Sequence, residues 1–396
     1  AVNGRAMVFQ AARRDGDRHG GQAAGVRVMD PLAIDGALAA AWDALADDAS
    51  EPNAFAERWC LAPALQLLDH DRRARLLVVE LGGQLIGVAA LTEARSYGPL
   101  PLRHWTNWTH SNHFHGAPLV RAGQELLFWQ AVLDWCAARG HFVLQWQKLT
   151  AGGPLQAALD QLLALSQAIA PEGIRQSRAL LASDLSPAAY WEAAVRGKKR
   201  KELRRQANRL ADLGPTAHRH WQRDEPIGPW VDALLQLEAE GWKGREGSAL
   251  ASDSATEAWV RTILAGARDA GRLDMRMTTQ AGRPIAMLVN FLCPPGGFSF
   301  KTAYAEDLAR FSPGVLLQQA NLDLLERPDL RWVDSCAAPD HPMIDSIWRE
   351  RRDLVWVNIP LGGRWSRLRF AALMRAEGLW HKLRRPPVPT PSDIAT

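Results

Sequence analysis

Between Phe298 and Leu325 the chain reads FSFKTAYAEDLARFSPGVLLQQANLDLL. A strand-like run there carries Lys301 and Tyr304, and a helix then opens on Ser312-Pro313-Gly314. Lysine and tyrosine side chains can donate hydrogen bonds and move protons. Strand alternation puts Phe300, Thr302 and Tyr304 on one face and Ser299, Lys301 and Ala303 on the other. Ser312 suits an N-cap and Pro313 the first helical position. The unpaired N–H groups and dipole of such a helix start favour an anion. Gly314 leaves room for a ligand to approach the backbone, and Arg310 adds positive charge. Arg310, Ser312, Gly314 and Val315 thus form a candidate phosphate cradle, and the same residues also read as an ordinary capped helix. Neither a Walker lysine motif nor a GxGxxG is present, so no P-loop or dinucleotide fold is supported.

Three further stretches carry reactive residue types. LEAEGWKGREGSAL, Leu237 to Leu250, ends a helical pattern and enters a glycine-flanked loop with Trp242, Lys243 and Arg245. The loop reads as a substrate cover or as plain surface. Glu238 and Glu240 read as solvated helix residues, or one of them as a general base. WVDSCAAPDHP places Asp334 at a strand end, where it could face a ligand or cap a turn. Cys336 has no assignable His partner and reads as a small buried residue. HWTNWTHSNHFHGAP holds His110, His113 and His115, but no acidic or thiol ligand stands beside them. Structural hydrogen bonding, or recognition of a substrate at a domain interface, fits this set better than a metal. No Gly-x-Ser-x-Gly elbow is present.

The elements that must position these residues recur. ARLLVVELGGQLIGVAALTEAR and RLDMRMTTQAGRPIAMLVNFLC are two hairpins about half a chain apart. Each opens on Arg-Leu, and each turn glycine is followed three residues later by Ile: Gly83 with Ile86, Gly282 with Ile285. Helices precede each hairpin, which points to duplicated α/β domains over residues 26–185 and 186–362. Residues 1–25 read as a disordered leader. YWEAAVRGKKRKELRRQANRLADLG reads as one long helix with a basic face from Arg196 to Arg209, either a solvated linker or an anion-binding surface. The basic, tryptophan-bearing tail, residues 363–396, could lie in a membrane interface or pack on the domain.

Bulk properties narrow the class. The 396 residues carry a net charge of +4, with 47% hydrophobic and 23% charged residues, as in ordinary soluble domains. The four cysteines are widely spaced and suggest neither a zinc site nor a disulfide framework, so a reducing, cytoplasmic setting is expected. No apolar run reaches the roughly 18 residues that span a bilayer.

EAEGWKGREGSAL, AGRPIAMLVNFLC, FKTAYAEDLARFSPGVLL and DSCAAPDHP together resemble the CelD-like or FemAB-like bacterial acetyltransferases of the GNAT superfamily. The resemblance implies two tandem GNAT-type domains, each a mixed sheet flanked by helices. It implies an acyl-CoA held in a splayed sheet, with its pyrophosphate at a helix N-terminus and no metal. RFSPGV stands where the family's Arg/Gln-x-x-Gly-x-Gly/Ala loop would be. An amine would attack the thioester directly. Lys301 and Tyr304 then become donors or proton-transfer groups, Glu240 and Asp334 candidate bases, and Trp242, Lys243 and Arg245 a cover over a substrate, with His110 and His113 in recognition. The expected acceptor is an amine of the cell envelope, an amino sugar or a lipid amine as in bacterial ceramide synthesis, and the basic tail is the candidate for contact with the inner-membrane surface. FemAB-type relatives use aminoacyl-tRNA instead, a less favoured donor here. A non-catalytic module of exopolysaccharide synthesis is the remaining alternative.

Overall fold

A computed structural model describes residues 23–384; the expected leader and the end of the tail lie largely outside them. The first half runs β1 (Gly25–Met29), α1 (Gly36–Asp47), α2 (Arg58–Leu67), β2 (Arg75–Leu81), β3 (Gln84–Ala94), β4 (His104–Asn107), β5 (Leu119–Val120), α3 (Glu125–Ala137), β6 (Val143–Thr150), α4 (Pro154–Leu165) and β7 (Glu172–Leu181). The second half runs α5 (Pro187–Ala194), α6 (Gly197–Asp212), β8 (Thr216–His220), α7 (Gly228–Glu240), α8 (Trp242–Arg245), α9 (Ser254–Asp269), β9 (Leu273–Gln280), β10 (Arg283–Cys293) and β11 (Gly296–Tyr304). It closes with α10 (Pro313–Ala320), β12 (Trp332–Asp334), β13 (Glu350–Pro360) and α11 (Arg364–Arg384). The single long basic helix expected from sequence is broken: α5 ends before an extended Val195-Arg196, and α6 starts afresh at Gly197.

Both hairpins turn through two residues with positive φ, Gly82-Gly83 and Ala281-Gly282, as tight antiparallel turns require. Both also bulge at the matching isoleucine. Val79 pairs Gly87 while Glu80 pairs Leu85, skipping Ile86; Thr279 pairs Pro284 while Thr278 pairs Ala286, skipping Ile285. The repeated Gly-x-x-Ile is therefore a repeated geometry.

All strands join one sheet in the order β1-β2-β3-β4-β6-β13-β7-β12-β11-β10-β9-β8, with β5 on β3. From each edge inward the two halves read alike, down to one parallel pairing each, β4 with β6 and β11 with β12. At the centre they interlock: β13, from the end of the chain, lies between β6 and β7 of the first half. The expected tandem α/β architecture holds, as one continuous sheet.

One aromatic core ties the halves together. Trp59 of α2 meets Phe291 of β10 with ring centroids 4.9 Å apart, and Phe55 meets Phe298 of β11 at 5.5 Å. At Gly266 of α9 a Cβ would lie 2.8 Å from Trp59 Cβ, so this helix contact needs glycine. Trp42, Phe55, Trp259, Phe291 and Phe298 are almost wholly buried here, each contributing roughly 1.5–3 kcal/mol by leaving water.

Candidate active site

The site forms where β11 and β12 part. Their parallel ladder lasts three pairs, Gly296 with Trp332, Gly297 with Val333 and Phe298 with Asp334; β11 then runs on to Tyr304 while β12 stops. At the fork β11 bulges. Ser299 pairs Asn290 and Lys301 pairs Val289, leaving Phe300 without a partner on β10. A bulge resets alternation by one residue. Phe298, Phe300 and Ala303 enter the aromatic core, and Lys301 shares their face, whereas Tyr304 packs with Ala286, Leu288 and Leu317 on the other. Strict alternation had grouped Phe300 with Tyr304 and opposed it to Lys301; the bulge reverses that. Lys301 and Tyr304 flank the fork from opposite sides of the sheet.

Lys301 Nζ lies 5.5 Å from the Phe114 ring centroid and 5.6 Å from that of Phe300. Burial, with Lys243 beside it, pushes the ammonium down to about 8. Glu238 and Lys243 close this side. Glu238 is buried; it accepts from Lys243 Nζ at 2.7 Å and from the Leu250 N–H at 2.8 Å. Glu240 is corrected as a candidate base: it is exposed on α7 and accepts from Gln236 at 2.8 Å. Of the two glutamates the structure brings Glu238 to the site. The expected irregular loop is instead the short helix α8, seated tightly on α7, where a Cβ at Gly244 would fall 1.7 Å from the Ala239 carbonyl oxygen. Arg245 is pinned outward by Glu306 at 2.6 Å. Trp242 opens α8. Glu238, Lys243, Thr302 and Tyr304 line a small cavity of about 30 Å³.

Tyr304 faces the start of α10, where a Cβ on Gly314 would sit 3.2 Å from its ring and 3.4 Å from Met343 Sδ. Ser312 does not cap this helix with its side chain, contrary to expectation. Its backbone is left-handed, φ 52 and ψ 48, and this turn redirects the chain from the 3-10 segment Glu306–Phe311 into Pro313. The first main-chain bond of α10 runs from Leu316 N–H to the Ser312 carbonyl, leaving the N–H groups of Gly314 and Val315 without an acceptor among the described residues. Arg310 is exposed alongside and stacks on Phe311 at 4.8 Å. Two free N–H groups at a helix start make an anion cradle.

Asp334 is fully committed elsewhere. It is 0% exposed and takes Arg178 Nε at 2.7 Å, Arg178 Nη2 at 2.8 Å, Arg352 Nη1 at 3.1 Å and the Cys336 N–H at 2.9 Å. Burial alone would raise its pKa, but the two guanidinium groups outweigh it and hold the carboxyl below its usual range. Asp334 thus closes a turn and anchors two arginines, which leaves it no lone pair for catalysis. Arg352 lies flat on Trp332 at 3.7 Å. Burial, then Asp334, pushes the Cys336 thiol up, so it is no nucleophile.

The histidine segment joins the two halves. His110 packs on Trp259 at 4.7 Å and His115 on Phe298 at 5.9 Å. Burial, then neighbouring charges, lowers all three imidazoles, His113 to about 3. These rings are neutral packing elements. Among the described residues no group of His, Cys, Asp or Glu is placed to hold a metal.

The same segment plugs the first half's own fork. Past the β4–β6 pairs, the Gln147 N–H donates to Asn107 Oδ1 at 2.8 Å and Asn107 Nδ2 donates back to the Gln147 carbonyl at 3.1 Å. Gly116 N–H donates to the Lys148 carbonyl at 3.0 Å, and Trp146 Nε1 to the Gly116 carbonyl at 2.8 Å. A Cβ at Gly116 would fall 2.0 Å from the Gln147 carbonyl oxygen. Where β11 and β12 stand open, β4 and β6 are stitched shut. Residues 113–115 then reach the open fork: Arg178 Nη1 donates to the Phe114 carbonyl at 2.8 Å, and Lys148 Nζ to that of His113 at 2.5 Å. Arg178, Arg352, Lys148 and Phe114 gave no sequence signal, because their roles depend on pairings across the chain.

The site thus combines a two-halved mixed sheet, one open parallel fork, a helix N-terminus beside it and a lysine within it. Residues 197–341 match the acetyltransferase (GNAT) domain family. The whole fold is similar to the crystal structure of FemX, at 9% identity over 83% of this chain and 97% of that one, TM-score 0.52. It is also similar to a conserved protein of unknown function from Bacteroides thetaiotaomicron, at 12% identity over 81% and 97%, TM-score 0.52. A third likeness is to the C-terminal domain of a putative lysylphosphatidylglycerol synthetase from Agrobacterium fabrum, at 13% identity over 86% and 97%, TM-score 0.50. No curated protein matches the chain in sequence.

Proposed function

We propose that this acyltransferase moves an acyl group from acyl-CoA to the amine of a cell-envelope acceptor. The observation that carries this reading is the open β11–β12 fork with Lys301 on one face and the unpaired N–H groups of Gly314 and Val315 at the other. The donor pyrophosphate would rest on those N–H groups, with Arg310 at the lip. The acyl thioester would lie along the fork. The amine attacks the thioester carbon, the new C–N bond forms, and the C–S bond breaks. Protonated Lys301 stabilises the developing oxyanion. Glu238 accepts the proton that the amine loses, and Tyr304, on the donor face, protonates the departing sulfur. The products are an amide and free CoA.

Lys301 stands beside the rings of Phe114 and Phe300, so an acceptor reaching it would meet aromatic side chains, which favours an apolar amine such as a sphingoid base over an amino sugar. A second donor reading has one observation of its own. The basic helix α6 packs against the 3-10 segment that leads into α10, so cationic side chains stand near the anion cradle, as an aminoacyl-tRNA donor would need. Thiol release from acyl-CoAs of graded chain length, with long-chain amines, amino sugars and no acceptor compared, tests the first reading. Release that depends on a long-chain amine supports it. No release with any acyl-CoA, but transfer from a charged tRNA, selects the second.

A further inference from the structure

Five large apolar side chains stand exposed at one end of the first half. Trp365 (81% exposed) and Leu368 (62%) belong to α11, Leu165 (69%) ends α4, Ile169 (76%) lies in the following loop and Ile174 (59%) in β7. They come from three parts of the sequence, and hydrogen bonds bring those parts together. Arg367 of α11 donates to the Ser166 carbonyl, next to Leu165. The Asn358 N–H, three residues before α11's approach at Leu361, donates to the Pro171 carbonyl at 3.0 Å, so the loop holding Ile169 is fastened at both ends to the chain that leads into α11. The other face of α11 is docked: Phe370 and Leu373 pack with Tyr97 and Val143, and Tyr97 Oη bonds Glu377 at 3.0 Å. The helix is therefore held with Trp365 and Leu368 pointing away from the protein.

On α11 the charges beside Trp365 and Leu368 have one sign, while Asp160 of α4 and Glu172 of β7 supply carboxylates on the first-half side. From Arg364 to Ala376 the chain has no acidic residue, and Arg364, Arg369 and Arg375 are exposed. Glu172, the nearest carboxylate on β7, is already bonded to Arg175 at 2.7 Å. Exposed Trp and Leu flanked by arginines on α11, with exposed Leu and Ile beside them, match the interface of a bilayer that contains anionic lipid: apolar side chains enter the acyl boundary and arginines meet phosphate. Among the described residues no helix can cross a membrane, so the contact is superficial.

We infer that Trp365 and Leu368 of α11, together with Leu165, Ile169 and Ile174 of the first half, form one composite surface that docks on anionic membranes. This surface lies outside the reaction site and does not rest on the acceptor proposed above. The test is flotation of the full chain with vesicles of phosphatidylcholine, with and without about a quarter phosphatidylglycerol. Two double variants are compared with the parent, Trp365→Ser/Leu368→Ser and Ile169→Ser/Ile174→Ser, after thermal melting shows both folded. The expected result is binding to the anionic vesicles that drops at least about fivefold in each variant and weakens with added salt. Absence of vesicle binding by the parent overturns the proposal. Undiminished binding by the Ile169→Ser/Ile174→Ser variant overturns the composite surface in favour of the helix alone. Self-association of the parent that either variant abolishes, without vesicle binding, reassigns the patch to a contact between copies of this chain.

Discussion

Phe300 and Lys301 are neighbours in sequence and lie on the same face of the sheet, with the lysine Nζ 5.6 Å from the phenyl centroid. Consecutive strand residues normally point apart. The bulge that brings them together turns a lysine inward at the place where the sheet opens, and most of the expected behaviour of this site follows from it.

Lys301→Ala should lower kcat/KM for acyl transfer by about a hundredfold, the usual loss for one oxyanion donor, with little change in donor affinity. The active form is the protonated one, so kcat should fall as pH rises through about 8. Lys301→Arg, which stays charged, should lose that alkaline limb. A pH profile unchanged in Lys301→Arg would remove the lysine from the reaction.

The same lysine should weaken the fold at neutral pH. Its pKa is depressed from 10.5 to about 8, so between those values the unfolded chain binds more protons, and stability rises with pH across that window. Lys301→Met should therefore be more stable than the parent by roughly 1–3 kcal/mol at pH 7. The gap should narrow above pH 8. Urea melts at several pH values measure it.

Asp334→Asn should act on stability before chemistry. Removing the charge leaves Arg178 and Arg352 buried against a neutral amide, which costs roughly 3–5 kcal/mol. Urea unfolding should show this loss. A variant of parental stability that had lost turnover would restore Asp334 as a candidate base.

Acid should loosen the join between the halves. His110, His113 and His115 are held neutral, His113 to about pH 3, while unfolded histidine protonates near its ordinary 6.5. The unfolded chain binds more protons below that value, so stability falls as pH drops from 6.5. His113→Gln should flatten this dependence in thermal melts between roughly pH 6.5 and 4.

Each chain should bind about one donor, since the first fork is stitched by Asn107 and Gly116 and the second is open. Titration calorimetry with CoA should give a stoichiometry near one. Gly314→Leu, crowding Tyr304 and Met343, should weaken that binding at least about tenfold, or about 1.4 kcal/mol. Two equivalent sites would contradict the plugged fork.

The repeat was legible because its signal is local. In each hairpin the turn glycine and the isoleucine three residues on lie within one short segment, so the likeness of the two hairpins could be read from residues 75–94 and 272–293. The start of α10 was legible in part. Pro313 and Gly314 announced a helix opening to a ligand, but the left-handed backbone at Ser312 depends on the 3-10 segment before it. Glu238 and Glu240 were indistinguishable in sequence because only the packing of α7 decides which one turns inward. β7 and β13 escaped notice altogether, since each finds its partners far along the chain. The bulge at Phe300 was hidden for the same reason: it exists only as a mismatch between β10 and β11.

β13 is made last and sits between strands made much earlier. During synthesis, β6 and β7 must wait, with their facing edges unpaired, until residue 360 has left the ribosome. At about 5–20 residues per second that is a delay of roughly ten to forty seconds, long enough for exposed strand edges to find wrong partners. A nascent chain of this kind is expected to lean on chaperones, and a stop codon just ahead of β13 would release a product whose sheet is split between β6 and β7.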